Sequence, residues 1–124
     1  MNIFQRRKIL KQINALDLIP IRRHEHELTD ENKVVLVVPK FEKNWMRRFF
    51  IAPARSNNFK IFLDDTGSKV WLKIDGVKTT KDIAYELLED HPDMEETQDR
   101  VLSFISLLYE QRYITFQQLL EQTS

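Results

Sequence analysis

His24 and His26 stand two apart in the stretch RRHEHEL, so on an extended strand their rings would share a face and could begin a metal site. No third ligand follows at a nearby spacing, and histidines on a surface strand are the expectation, with no metal bound. Two carboxylate pairs, Asp64-Asp65 and Glu95-Glu96, have the residue types for general acid and base work. Each pair sits where a helix should begin, and there the macrodipole favours negative charge, so capping accounts for both without chemistry. The chain has no cysteine, which removes disulfides, thiolate zinc sites, iron-sulfur clusters and thiol nucleophiles together. With two glycines, Gly67 and Gly76, no Gly-rich phosphate loop can form, and no Ser/His/Asp grouping stands out. These residues predict a protein that is not an enzyme and carries no catalytic residue and no cofactor of its own.

The elements that would position any site follow from the patterning. A length of 124 residues fits one domain with a real core. With 42% hydrophobic residues the composition is globular, and no apolar run approaches the roughly 20 residues that span a bilayer. The start MNIFQRRKILKQINAL lacks the apolar core and small-residue cleavage site of a secretory signal, which points to the cytoplasm. Residues 1–60 hold 13 Lys/Arg against 6 Asp/Glu, and residues 61–124 hold 6 against 13. Such asymmetry marks either a partner-binding surface or two halves that attract each other in the fold.

Residues 2–14 suit a short basic amphipathic helix, with Ile3, Leu10 and Ile13 near one face, ending near Asp17. Its apolar contacts are few for a membrane surface, so docking on its own domain or a partner chain is expected. Residues 21–28 alternate as a strand, TDENK turns, and the run Val34-Val35-Leu36-Val37-Val38 returns as the second arm of a hairpin stopped by Pro39. Residues 41–58 have no clean period and read as a long basic connection with a helical piece; Phe59, Ile61 and Leu63 then alternate with Lys60 and Phe62 in a third strand.

From Asp64 the period becomes helical. Gly67, Val70, Trp71 and Ile74 share a face, Asp64 or Asp65 can act as N-cap, and Gly76 takes the left-handed position past the end. Thr79 with Asp82 resembles a capping box, and Ile83, Leu87 and Leu88 form the stripe of a second helix that stops at His91-Pro92. Asp93 with Glu96 repeats the cap-and-acid pattern, and Val101, Phe104, Ile105 and Leu108 form the stripe of a third helix, widened at its edge by Leu102 and Tyr109. YITF at 113–116 is a last extended piece.

The expected fold is α+β and winged-helix-like: a three-stranded antiparallel sheet followed by a three-helix bundle, with an extra N-terminal helix. One domain would span 1–124, with an extension over 1–20, strands over 21–63 and the three-helix core over 64–116. Helix-turn-helix segments often grip DNA, with the last helix leading into the major groove. Here that helix opens with DMEETQDR, four acids against Arg100, and phosphate would repel it. The basic half leaves nucleic-acid binding elsewhere as an alternative, and a protein-protein adaptor as another.

The stretch FKIFLDDTGSKVWLKIDGVKTTKDIAYELLED carries Leu63-Asp64, Gly67, Val70-Trp71, Asp75-Gly76, Thr79, Ile83-Ala84 and Leu87, and RVLSFISLLYEQRYITF follows it. In these residues the sequence resembles the PqqD family, small proteins that assist in making pyrroloquinoline quinone, and related peptide-recognition domains of modified-peptide biosynthesis. The resemblance implies a winged-helix domain that reads peptide. The leader of a precursor peptide would add as a strand along the third strand, lie against the third helix, and be presented to a modifying enzyme, commonly a radical S-adenosylmethionine enzyme with its own iron-sulfur clusters. On this chain the implied peptide-binding residues are Phe59, Lys60, Ile61, Phe62 and Leu63 on the strand and Leu102, Ile105 and Tyr109 on the helix. Of these, Phe59, Ile61 and Ile105 are expected in the core, and Lys60, Phe62, Leu102 and Tyr109 are expected to carry the side-chain contacts. The N-terminal helix and residues 41–58 exceed the usual family pattern and would cover the edge, contact the enzyme or support a homodimer.

Overall fold

Hydrogen-bond demand divides the first extended stretch between two sheets. In the computed structural model, which describes Leu10, residues 14–39 and residues 58–121, β1 (Pro20–Arg22) pairs antiparallel with β5 (Ile114–Phe116). The second sheet has the order β2-β3-β4, antiparallel throughout, from β2 (Glu25–Leu28), β3 (Val34–Pro39) and β4 (Asn58–Phe62). Residues 21–28 are thus two strands where the alternation suggested one. The Arg23 N–H still donates to the Tyr113 carbonyl at 3.0 Å, so the chain stays tied to its C-terminal strand before it crosses at His24 to meet β3. Side-chain period cannot report such a crossing, because alternation persists while the backbone partner changes.

Three helices follow the sheet: α1 (Asp65–Lys73), α2 (Thr80–Asp90) and α3 (Thr97–Glu110), with a short α4 (Gln117–Glu121) after β5. Asp64 is the N-cap of α1, accepting from the Gly67 N–H at 2.6 Å, while Asp65 pairs with Lys69 one turn on at 2.9 Å. Past the end of α1, Gly76 has φ +80°, where a Cβ would be strained, and the Asp75 carboxylate accepts from the N–H groups of Val77 and Lys78 at 2.9 and 2.8 Å. Those backbone donors, Lys78 first, hold the Asp75 carboxyl below its ordinary value. Thr79 and Asp82 form the anticipated capping box, each side chain accepting from the other's N–H at 3.1 Å.

The start of α3 differs from the sequence expectation. Asp93 does not cap it; the helix begins at Thr97, after Glu96 in the left-handed region at φ 52° with no side-chain cap. The Met94 N–H bonds the His91 carbonyl at 3.0 Å, and Met94 packs on the core, so residues 92–96 turn back on α2 before helix can form.

The core joins all layers. Leu36 of β3, Trp71 and Ile74 from the α1 region, Ile83 and Leu87 of α2, Val101, Ile105 and Leu108 of α3, and Ile114 and Phe116 of β5 are buried together. Full burial of such a side chain stabilises by about 1.5–3 kcal/mol, so α1–α3 are held mainly by this shared stripe. Buried Thr80 is satisfied by Leu18, whose carbonyl accepts both its hydroxyl at 3.0 Å and its N–H at 2.9 Å. The Arg22 guanidinium lies over the Trp71 ring at 5.5 Å and donates to the Trp71 carbonyl at 3.2 and 2.8 Å, whereas the buried Trp71 Nε1 has no hydrogen-bond partner among the described residues. The architecture is therefore α+β, an antiparallel three-stranded sheet followed by helices. Apart from Leu10, the helix expected over 2–14 lies outside the described residues until Asn14, which caps a 3-10 turn at Ala15–Asp17. The connection expected over 41–58 lies outside them until Asn58. Among the described residues no helix is long and apolar enough to cross a membrane.

Candidate functional site

β4 lies at one edge of its sheet, and its register fixes which backbone groups face outward. Leu36 stands opposite Ile61 and Val38 opposite Phe59, and beyond the strand the Leu63 N–H donates to the Val34 carbonyl at 3.0 Å. Hydrogen-bonded and non-bonded pairs alternate along an antiparallel ladder, so Phe59, Ile61 and Leu63 turn their backbone groups to β3. Lys60 and Phe62 therefore turn theirs to the outer edge. The inner partner of Leu63 is made through a side chain: Ser68, buried, accepts from the Val34 N–H at 2.8 Å and donates to the Leu63 carbonyl at 3.4 Å, pinning the strand end to α1.

Side chains on β4 divide by face. Ile61 and Leu63 are half-buried and pack against the core, but Phe59, expected inside, is 52% exposed. It shares their face yet lies opposite Val38, near the end of the sheet. Phe62 on the other face is 71% exposed, and Lys60 pairs loosely with Glu27 at 3.8 Å across that face.

Just after β4 the chain enters an open groove between the start of α1 and one flank of α3. Asp64, Thr66 and Gly67 form one wall, and Arg100, Ser103, Phe104 and Leu107 form the other, with Glu96 and Asp99 at its mouth. Gly67 is what permits the close approach: a Cβ there would stand 2.6 Å from Phe104 Cζ and 2.9 Å from Asp64 Oδ1. Leu107 is 50% exposed and Phe104 half-buried, so the groove has an apolar floor open to solvent. Arg100 reaches across to the Thr66 hydroxyl at 3.5 Å.

The helix residues singled out in the sequence are not in that groove. Ile105 is buried between the flanks. Leu102 is one turn from Gln98, which lines a shallow apolar cavity against Tyr85 and Leu88 of α2, and Tyr109 stacks on Phe116 with ring centroids 5.0 Å apart. At 100° per residue, Leu102 and Tyr109 flank the buried stripe on one side, and Phe104 and Leu107 flank it on the other. Two signals in the sequence could have found the second flank. A glycine inside a helix costs about 1 kcal/mol relative to Ala, which marks Gly67 as a position of close approach. In the pair Leu107-Leu108, one leucine must leave a stripe centred on Leu108.

The two histidines do not act together. The His24 ring meets Tyr113 edge-on at 6.0 Å, and the His26 ring meets Trp71 at 6.3 Å. Burial first, and then the positive charge of Arg22, lower the His26 pKa from its ordinary value, which favours neutral imidazole.

An antiparallel sheet with β4 at its edge among the described residues, helices packed against it and a groove between α1 and α3 make a small winged-helix-like α+β domain. Residues 54–114 match the family model described as Coenzyme PQQ synthesis protein D (PqqD). Over that segment, just under half of its length, the chain matches the PqqD family. No curated protein and no solved structure matched the chain.

Proposed function

We propose that this domain captures the leader segment of a precursor peptide as an added strand on β4 and presents it to a radical S-adenosylmethionine type of modifying enzyme, in the making of coenzyme PQQ or another modified peptide. The observation that carries the reading is the edge of β4, where Lys60 and Phe62 direct backbone donors and acceptors outward, and which leads in the chain to Asp64 and Gly67 of the groove that Phe104 and Leu107 line. Strand addition needs those two things: main-chain groups for affinity and adjacent pockets for alternate side chains. The family description supports the biosynthetic setting.

In this reading the domain performs no chemistry and holds the peptide in place for its partner. Phe59, Lys60, Ile61, Phe62 and Leu63 supply the strand and Phe104 and Leu107 the helix contacts, which leaves Ile105 in the core and Leu102 and Tyr109 to support α3 from behind. A nucleic-acid role gains nothing from the geometry, since Asp93, Glu95, Glu96 and Asp99 are all exposed around the start of α3. Calorimetry with the leader of a precursor encoded beside this protein tests the reading. Binding that is lost in Leu107→Lys and kept in Leu102→Lys supports it, and no binding to any adjacent precursor overturns it. Salt-sensitive binding to duplex DNA would promote the alternative.

A further inference from the structure

The groove after β4 has a polarity along α3. Its floor is apolar at Phe104 and Leu107, while Glu96 and Asp99 stand exposed at its mouth, about one and a half to three turns nearer the helix start. Arg100 does not neutralise them: its guanidinium is turned to the Thr66 hydroxyl, and neither Glu96 nor Asp99 has an ion pair among the described residues. Asp64, the third carboxylate there, is committed to the Gly67 N–H as the cap of α1. An occupant of this groove therefore meets an apolar surface and, further along, two carboxylates with one cation beside them.

We infer that the groove selects a cationic peptide segment, with an apolar side chain seated on Phe104 and Leu107 and a Lys or Arg opposite Glu96 and Asp99. This rests on the strand-addition reading above and deepens it. The spacing follows from the geometry. Asp99 and Leu107 are eight residues apart, about 12 Å of helix at 1.5 Å per residue. A strand rises about 3.3 Å per residue, so that distance is between three and four peptide residues, and side chains on one face recur every second residue. The anchor and the cation are therefore four positions apart. Complementary charge at the rim of an apolar contact sets register and excludes wrong partners more than it adds affinity. Glu96 and Asp99 thus act as specificity residues, distinct from the backbone edge that binds any extended chain.

The test uses the full chain and three fluorescein-labelled nine-residue peptides of alternating Thr and Val with Leu at position 3 and Arg, Gln or Glu at position 7, beside the leader of the adjacent precursor. By anisotropy the Arg peptide should bind about fivefold tighter than the Gln peptide, and the Glu peptide weaker again by a similar factor. Raising salt should narrow the differences. The double variant E96K/D99K, both sites exposed, should invert the order while its circular dichroism stays that of the parent. Equal binding of all three peptides, or an order unchanged in the double variant, overturns the inference. If the leader binds while the three peptides show no charge preference, only the selectivity is wrong. If neither leader nor peptides bind the folded protein, strand addition itself fails, and the inference falls with it.

Discussion

The two sheets of this molecule end in opposite ways. The β1–β5 ribbon is sealed. Pro20, Ile114 and Phe116 are buried, Tyr109 stacks on Phe116, the Gln117 N–H bonds the Ile19 carbonyl at 2.9 Å, and the Gln118 side chain spans the Ile19 N–H and the Asp17 carbonyl at 3.1 and 2.8 Å. In the other sheet, β4 carries the exposed rings of Phe59 and Phe62 and turns every second backbone group outward. Edge strands that stay uncovered are an aggregation hazard that proteins normally blunt, and among the described residues no further strand pairs with β4. The ribbon closes the fold by tying residues near the start of the described chain to residues near its end. β4 buries little, its side chains being exposed but for half-buried Ile61, and on the reading proposed above its edge serves recognition.

The contrast can be broken at either end. The largest stability effect falls on the ribbon: Phe116→Ala should cost about 3–5 kcal/mol in urea unfolding, because a ring is deleted from a closed core, while Phe62→Ala should stay within about 0.5 kcal/mol. Gly67→Ala comes next, at about 1–3 kcal/mol, since Phe104 and the Asp64 cap must both give way, and leader binding should weaken with it as the groove is reshaped. Leu107→Lys should leave the unfolding midpoint nearly unchanged and weaken leader binding about tenfold, whereas Leu102→Lys should spare binding; the reverse result would move the site to the other flank of α3.

The smallest effect is one of pH. The folded pKa of His26 lies below its ordinary value near 6.5, so the unfolded chain takes up the proton first. Its contribution is fully present above that value and is lost as pH falls through the folded pKa. The parent should therefore lose slightly more stability than His26→Gln between neutral pH and mild acid, as read from urea midpoints. Asp75, Asp65 and Asp90 have lowered carboxyl pKa values, through hydrogen bonds from the Lys78 backbone and from the Lys69 and Lys73 side chains respectively. They act with the same sign at lower pH, where the unfolded chain again protonates first.

How much of this was legible in the sequence depended on the range of the interaction involved. Local devices could be read directly: the Thr79–Asp82 box, the Gly76 turn and the buried stripe of α3 each depend on residues within a turn or two. The division of residues 21–28 between two sheets could not be read, because it is set by Tyr113, about 90 positions away. The cap of α3 failed for a related reason: Asp93 has the right residue type, but packing of Met94 on the core keeps residues 92–96 in a turn. For the proposed site, the strand can be read from its alternation and from its resemblance to the PqqD pattern. Which flank of α3 borders the groove cannot, because a broad stripe has two edges and only the contact between Gly67 and Phe104 distinguishes them.

The central claim is that β4 offers an outward row of backbone groups to an incoming strand, and two proline substitutions test it most directly. In Lys60→Pro the lost N–H points outward, so the protein should stay folded, within about 1 kcal/mol of the parent, while leader binding is abolished. In Ile61→Pro the lost N–H points to β3, so the cost should be at least about 2 kcal/mol. A Lys60→Pro protein that folds and binds the leader as the parent does would contradict the account.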